Sequence, residues 1–313
     1  MKRGLFVDSP PFTMFVMLGF AMVTCYLLFF FIGLLLAPVI LDIPIDELMN
    51  VINKGDADNQ LNVIRYMQVL FSISIFTIPA FFAAYLFSKN AVSYLGLRQG
   101  APIKWFAVTL VIMLAVIPFI NLLVALNEMI VFPESLAGLE QRLKSIEENA
   151  RETTRLILNV DNVSGMFFNL FMIAMLPAIG EELIFRGLLH KIFFKWTGNI
   201  HVTIIVTGFL FSILHIQFYG LFPRWLLGVM FGYMMVWSGT IWLPIFAHFT
   251  NNAIAVYISY LIHKGTISEK FEVFGATPSD IPVTIATTSV CLALVWIMCR
   301  KWQEKNSRKL FVP

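Results

Sequence analysis

Charge is scarce in this chain. Only 13% of its 313 residues are Asp, Glu, Lys or Arg, against roughly a quarter in a soluble domain. The formal net charge of +3 is too small to suggest a nucleic-acid partner. Cysteine is nearly absent. Cys25, Cys291 and Cys299 lie in apolar runs without a CxxC pair, which excludes a disulfide framework and a cysteine zinc cluster. There is no His-Glu-x-x-His motif, no internal repeat and no low-complexity linker. What fills the chain is apolar: 58% of residues are hydrophobic, the composition of an all-α polytopic membrane protein.

About twenty apolar residues cross the hydrocarbon core. By that rule the sequence predicts eight spans, near 12–38, 65–88, 105–128, 163–194, 200–218, 222–238, 241–262 and 281–300. The fourth is over-long, so it must tilt, kink at Pro177 or emerge into the interface. The apolar run from Phe12 to Ile40 exceeds the roughly 7–15 residues of a signal-peptide core, so it reads as a retained first span.

Basic residues cluster on one side of this layout: Lys2 and Arg3, then Lys89, Arg98 and Lys104, then Lys191 and Lys195, then Arg300, Lys301, Lys305, Arg308 and Lys309. The other side carries Asp42, Asp46, Glu47, Asp56 and Asp58, followed by a mixed-charge stretch at 133–161. The positive-inside rule then puts both termini in the cytoplasm. Within that stretch Leu136, Leu139, Leu143, Ile146 and Ala150 recur every three or four residues, predicting an amphipathic extracytoplasmic helix. It either rests on the membrane or on its own spans, or acts as a substrate-facing lid or a contact with another chain.

Against this background, Gly180-Glu-Glu-Leu-Ile-Phe-Arg-Gly187 is anomalous. Two adjacent carboxylates and an arginine inside an apolar run are costly in a bilayer, and such residues usually face a protein interior and serve a site or pathway. Residues four apart share a helix face, so Glu182 and Arg186 pair, while Glu181 points about 100° away without a partner in its own helix. Phe211 with His215, and His248 with Asn252, repeat the four-residue spacing. At 1.5 Å per residue from the expected cytoplasmic ends, Glu181, His215 and Asn252 lie about 21–22 Å deep and His248 about 15 Å. A buried carboxylate, two imidazoles and a carboxamide are parts sufficient to hydrolyse an amide: a carboxylate to take a proton from water, an imidazole to orient that water, and an imidazole and an amide to stabilise the oxyanion.

Glu181-Glu182-x-x-x-Arg186, Phe211-x-x-x-His215 and His248-x-x-x-Asn252 together resemble the CPBP family of intramembrane proteases, which comprises CAAX prenyl endopeptidases and bacteriocin-processing or immunity (Abi) proteins. The likeness also takes in Gly228-Val-Met-Phe-Gly232-Tyr, Ser238-Gly-Thr-Ile-Trp-Leu-Pro244 and Ala247-His248, and covers roughly 163–260. The resemblance implies an intramembrane endopeptidase with Glu181 as general base on a water shared with His215. His248 and Asn252 would form the oxyanion hole, with Glu182 and Arg186 in support. It also implies a membrane-associated protein or peptide substrate, C-terminal and lipidated in some family members, and a bacterial plasma membrane. The family is described both as glutamate-type and as metal-dependent. A metal-free site is the preferred reading, with Glu181, His215 and His248 as the zinc ligands otherwise. On this division 1–160 are accessory spans and the amphipathic helix, 161–263 the catalytic core, and 264–313 the last span with a basic tail.

Blander readings compete. Glu181, Glu182 and Arg186 could be a structural ion network, with Arg186 a counter-ion. The whole could be a non-catalytic regulatory or immunity protein that keeps the pocket, or a proton-carrying transporter; against the transporter, no repeat pairs two broken helices. Gly228 and Gly232 suggest close helix contact. His190 and His201 are expected to be solvated at the cytoplasmic interface, Asn251 to be packing, and Asn121 and Asn169 to have no role. Arg224 is expected to snorkel, with a substrate-carboxylate contact as its alternative.

Overall fold

The computed structural model describes residues 4–45, 47–48, 51 and 57–306. Lys2, Arg3, Asp46, Asp56, Arg308 and Lys309, which entered the charge argument, lie outside them. Among the described residues the chain is helical without a strand. The main helices are α1 (Pro11–Leu41), α2 (Asn59–Phe87), α3 (Ile103–Glu128), α4 (Ala137–Leu158), α5 (Val163–Thr197), α6 (Ile200–Ile213), α7 (Leu221–Ser238), α8 (Trp242–His263) and α9 (Ile281–Asn306).

Among the described residues six helices, not eight, are long and apolar enough to cross a membrane: α1, α2, α3, α5, α8 and the stretch Pro278–Lys301 within and before α9. The protein is an integral, multi-pass membrane protein. The two expected spans that fall short are α6 and α7. At 1.5 Å per residue α6, with 14 residues, is about 21 Å long, against a core of about 30 Å. It stops early because the chain turns at Leu214 and His215, and Ile216 then adopts φ 54°. α6 and α7 instead pack closely on one another at Gly208 and Gly228, where a Cβ on Gly228 would lie 2.9 Å from the Gly208 Cα. Gly228 is thus a close helix contact, as its spacing suggests. Gly232, one turn on, packs against Ile204 and the His190 ring.

The over-long α5 runs 35 residues. It is widened by π-helical turns at Leu170–Met175 and Leu183–Leu189, on either side of Pro177. Just before that proline, the Leu176 N–H donates to Phe171 O, five residues back. α2 has the same device ahead of Pro79, with Ile78 N–H on Ile73 O. A proline supplies no N–H and crowds the preceding turn, and a widened turn relieves both. The two irregular helices meet there: a Cβ on Gly180 would lie 2.9 Å from the Phe76 Cβ. Leu183, Ile184, Phe185 and Leu188 of α5 join one buried apolar cluster with residues of α1 and α2, while α3, α7, α8 and α9 form a second. The site lies where these meet.

A candidate active site between α5, α6 and α8

Glu182 is fully buried, and its Oε1 accepts from two partners: Arg186 Nη1 at 2.7 Å and His248 Nδ1 at 3.0 Å. Arg186 is equally buried and donates its other arm, Nη2, to Gly228 O at 2.6 Å. That carbonyl belongs to the glycine at which α6 and α7 cross. The guanidinium also lies over the rings of Phe211, Phe231 and Phe185, at 5.1, 5.5 and 5.9 Å from their centroids. A buried charge persists only when paired and hydrogen-bonded, and this one ties α5, α7 and α8 together.

His248 is held flat. Its ring stacks on Phe231 (centroids 5.4 Å apart, 21° between planes) and meets Phe211 edge-on at 5.6 Å. With Nδ1–H committed to the Glu182 carboxylate, its Nε2 is the only ring nitrogen left for chemistry. Donation from Nε2 requires the ring to carry both protons. One turn later Asn252 donates Nδ2 to Ile173 O at 3.2 Å and accepts from Asn251 Nδ2 at 3.1 Å. Both residues of the motif therefore dock α8 onto α5, and Asn251 does more than pack.

His215 sits beyond the last turn of α6. Its own N–H bonds Ser212 O, three residues back, which leaves the Phe211 carbonyl open at the helix end. The ring takes it: Nδ1 donates to Phe211 O at 2.9 Å. A carbonyl can only accept, so Nδ1 carries the proton and Nε2 presents a lone pair. That lone pair is 4.0 Å from Glu181 Oε2. Glu181 Oε2 is buried and has no hydrogen-bond partner among the described residues. Two acceptors facing each other do not bond directly. Seen from a water about 2.8 Å from each, a 4.0 Å separation subtends about 90°, close to the angle between the two hydrogens of water. One water can therefore give one hydrogen to each and present its oxygen outward.

The expectation for His190 fails. It is buried, with Nδ1 3.0 Å from the Thr207 hydroxyl and 3.3 Å from Phe185 O, because α6 lies across this part of α5. His201 is exposed and bonds the Tyr233 hydroxyl at 2.8 Å. Asn169, given no role from sequence, is buried and donates to Ile157 O at 2.8 Å. Asn121 likewise donates to Phe274 O at 2.9 Å. Among the described residues no three His, Cys, Asp or Glu side chains are placed to hold a metal ion.

One strained residue escaped the sequence. Ile216 follows His215 with φ in the left-handed region, which a β-branched side chain enters only at a cost of about 1–3 kcal/mol. Composition and spacing gave no sign of it.

Residues 163–254 match the family model described as type II CAAX prenyl endopeptidase, Rce1-like. The chain carries an Rce1-like segment. It begins at the start of α5 and ends in α8, so it contains all six motif residues. Over 86 residues the chain is 35% identical to the sporulation-killing factor biosynthesis protein SkfC of Bacillus subtilis (strain 168), a match that takes in 25% of this chain and 17% of SkfC. The chain therefore spans well under two thirds of that relative's length. No solved structure matches.

Proposed function

We propose that this protein is an intramembrane endopeptidase of the CAAX prenyl protease type, hydrolysing a peptide bond in a membrane-associated protein or peptide. The observation that carries the proposal is the pairing of Glu181 Oε2, without a partner, with the lone pair of His215 Nε2 at 4.0 Å. These two acceptors, one able to take a proton fully, are what a nucleophilic water needs.

In the proposed reaction the water gives one proton to Glu181 as its oxygen adds to the substrate carbonyl carbon. His215 accepts the hydrogen bond of the other O–H and fixes the direction of attack. The carbonyl oxygen becomes an oxyanion, met by Nε2–H of doubly protonated His248 and by the Asn252 N–H that is not used on Ile173 O. The tetrahedral intermediate collapses, the C–N bond breaks, and Glu181 returns its proton to the leaving nitrogen. Glu182 and Arg186 act through His248: they hold its ring and share the charge beside it. The Rce1-like match over 163–254 supports a peptide or protein substrate. The role of SkfC in biosynthesis of a sporulation-killing factor is consistent with a bacterial peptide substrate.

We further place the chain in a bacterial plasma membrane with both termini cytoplasmic. The six long apolar helices among the described residues give even parity, and the α6–α7 pair preserves it whether both cross or both turn back. The positive-inside argument for one-sided termini holds for six spans as for eight.

Membrane proteomics of cells carrying the wild type or Glu181→Ala tests the proposal. Peptides cut only by the wild type are expected, with the variant still folded in detergent. Undiminished cutting by the variant removes Glu181 as the base.

A further inference from the structure

Beside the site, a cavity of about 590 Å³ opens between α3, α4 and α8. Its wall mixes apolar residues such as Ile117, Val124, Ile254 and Ile258 with polar and charged ones, among them Arg155, Gln217, Asn251 and Arg224. Two of its residues adjoin the proposed catalytic ones: Asn251 is bonded to Asn252, and Gln217 is two residues from His215. α4 covers the cavity and is tethered by Arg151 on Glu128 at 2.8 Å and by Glu147, which accepts the Tyr219 N–H at 3.0 Å.

Arg224 is the unexplained group. It is half-buried, and among the described residues it makes no ion pair. Its guanidinium donates only to neutral acceptors, Gln217 O at 3.2 Å and the Gln217 Oε1. It fits because residue 220 is glycine, since a Cβ there would collide with the guanidinium. Of the acids in the cavity wall, Glu128 is taken by Arg151, Glu147 is on the Tyr219 N–H, and Glu272 is exposed. Glu181 and Glu147 lie within electrostatic range of Arg224 without bonding it. A guanidinium has five N–H groups in a planar fork matched to a carboxylate. Two of those five N–H groups reach Gln217, and the others have no partner among the described residues.

We infer that Arg224 is a specificity-determining residue that binds a carboxylate of the peptide lying in the cavity under α4. The inference rests on the endopeptidase reading for its occupant. The carboxylate comes from the C-terminus of the peptide or from an Asp or Glu side chain.

The test uses the full-length protein in detergent and a library of ten-residue apolar peptides in three forms: a free C-terminus without acidic side chains, a C-terminal carboxamide without acidic side chains, and a carboxamide with one internal Glu. Cleavage is read by mass spectrometry, and binding by fluorescence anisotropy on both wild type and Glu181→Gln. Wild type is expected to favour a carboxylate-bearing form over the plain amide by about tenfold or more. Preference for the first form identifies the C-terminus, and preference for the third a side chain. In Arg224→Gln the ratio is expected to fall to about one through KM, with Arg224→Lys restoring part of it. Equal handling of all three forms by wild type overturns the assignment, as does an equal loss on all three in Arg224→Gln. Cleavage without any carboxylate preference overturns Arg224 alone. Carboxylate-selective binding without cleavage by wild type retains Arg224 and sinks the hydrolase.

Discussion

Glu181 and Glu182 are neighbours in sequence with opposite roles in the structure. Glu182 is saturated by Arg186 and His248, whereas Glu181 Oε2 has no partner among the described residues. Removing one member of a buried pair strands the other. Arg186→Ala and Glu182→Ala are therefore each expected to cost about 3–5 kcal/mol, seen as a lower melting temperature in detergent. The Glu182→Gln/Arg186→Met double variant should be less destabilised than the sum of its singles; strict additivity would show that the pair is not coupled. Glu181→Gln should do the reverse, leaving the melting temperature near wild type while lowering cleavage at least about a hundredfold. Chelators are expected to leave activity intact. Stoichiometric zinc in purified protein, lost in His215→Ala, would overturn that expectation. Sequence spacing made the Glu182–Arg186 pair legible, since four residues share a helix face. It could not show that Oε1 of Glu182 also holds His248, a contact made 66 residues away in the chain.

The helices bring these groups together through irregular features. π turns before Pro79 and Pro177 let α2 and α5 meet at Gly180. The crossing of α6 and α7 depends on Gly208 and Gly228, and the Gly228 carbonyl is also an anchor of Arg186. Gly228→Ala forces a Cβ against backbone at 2.9 Å, an overpacking expected to cost about 1–3 kcal/mol. It should also lower activity by moving that carbonyl; a variant with unchanged stability and activity would show that the helices separate freely. Ile216 offers the opposite case. Ile216→Asn relaxes a backbone conformation that Asn tolerates, so a rise in stability of about 1 kcal/mol is expected by thermal melting; a fall would mean that the exposed isoleucine side chain contributes more than its backbone costs. Helix positions were readable from apolar run length, but neither the π turns nor the early end of α6 were. Both arise from local backbone choices that composition does not encode.

Taken whole, the protein is a set of lipid-facing helices around a few polar side chains, and its layout makes a prediction of its own. Reporter fusions at the two termini should report the same compartment; opposite compartments would require an odd number of crossings and undo the even-parity argument. The sequence by itself determined the membrane class, because an apolar content this high admits little else, and it determined which polar residues were out of place, because each is costly in hydrocarbon. It also settled their local pairing within a helix turn, since 3.6-residue periodicity is a property of the backbone. Only the tertiary structure decided that α6 stops early and packs on α7 at glycines, that His190 is buried, and that His215 turns a lone pair towards Glu181. Those outcomes depend on which helix faces meet, and close packing between segments far apart in the chain selects them.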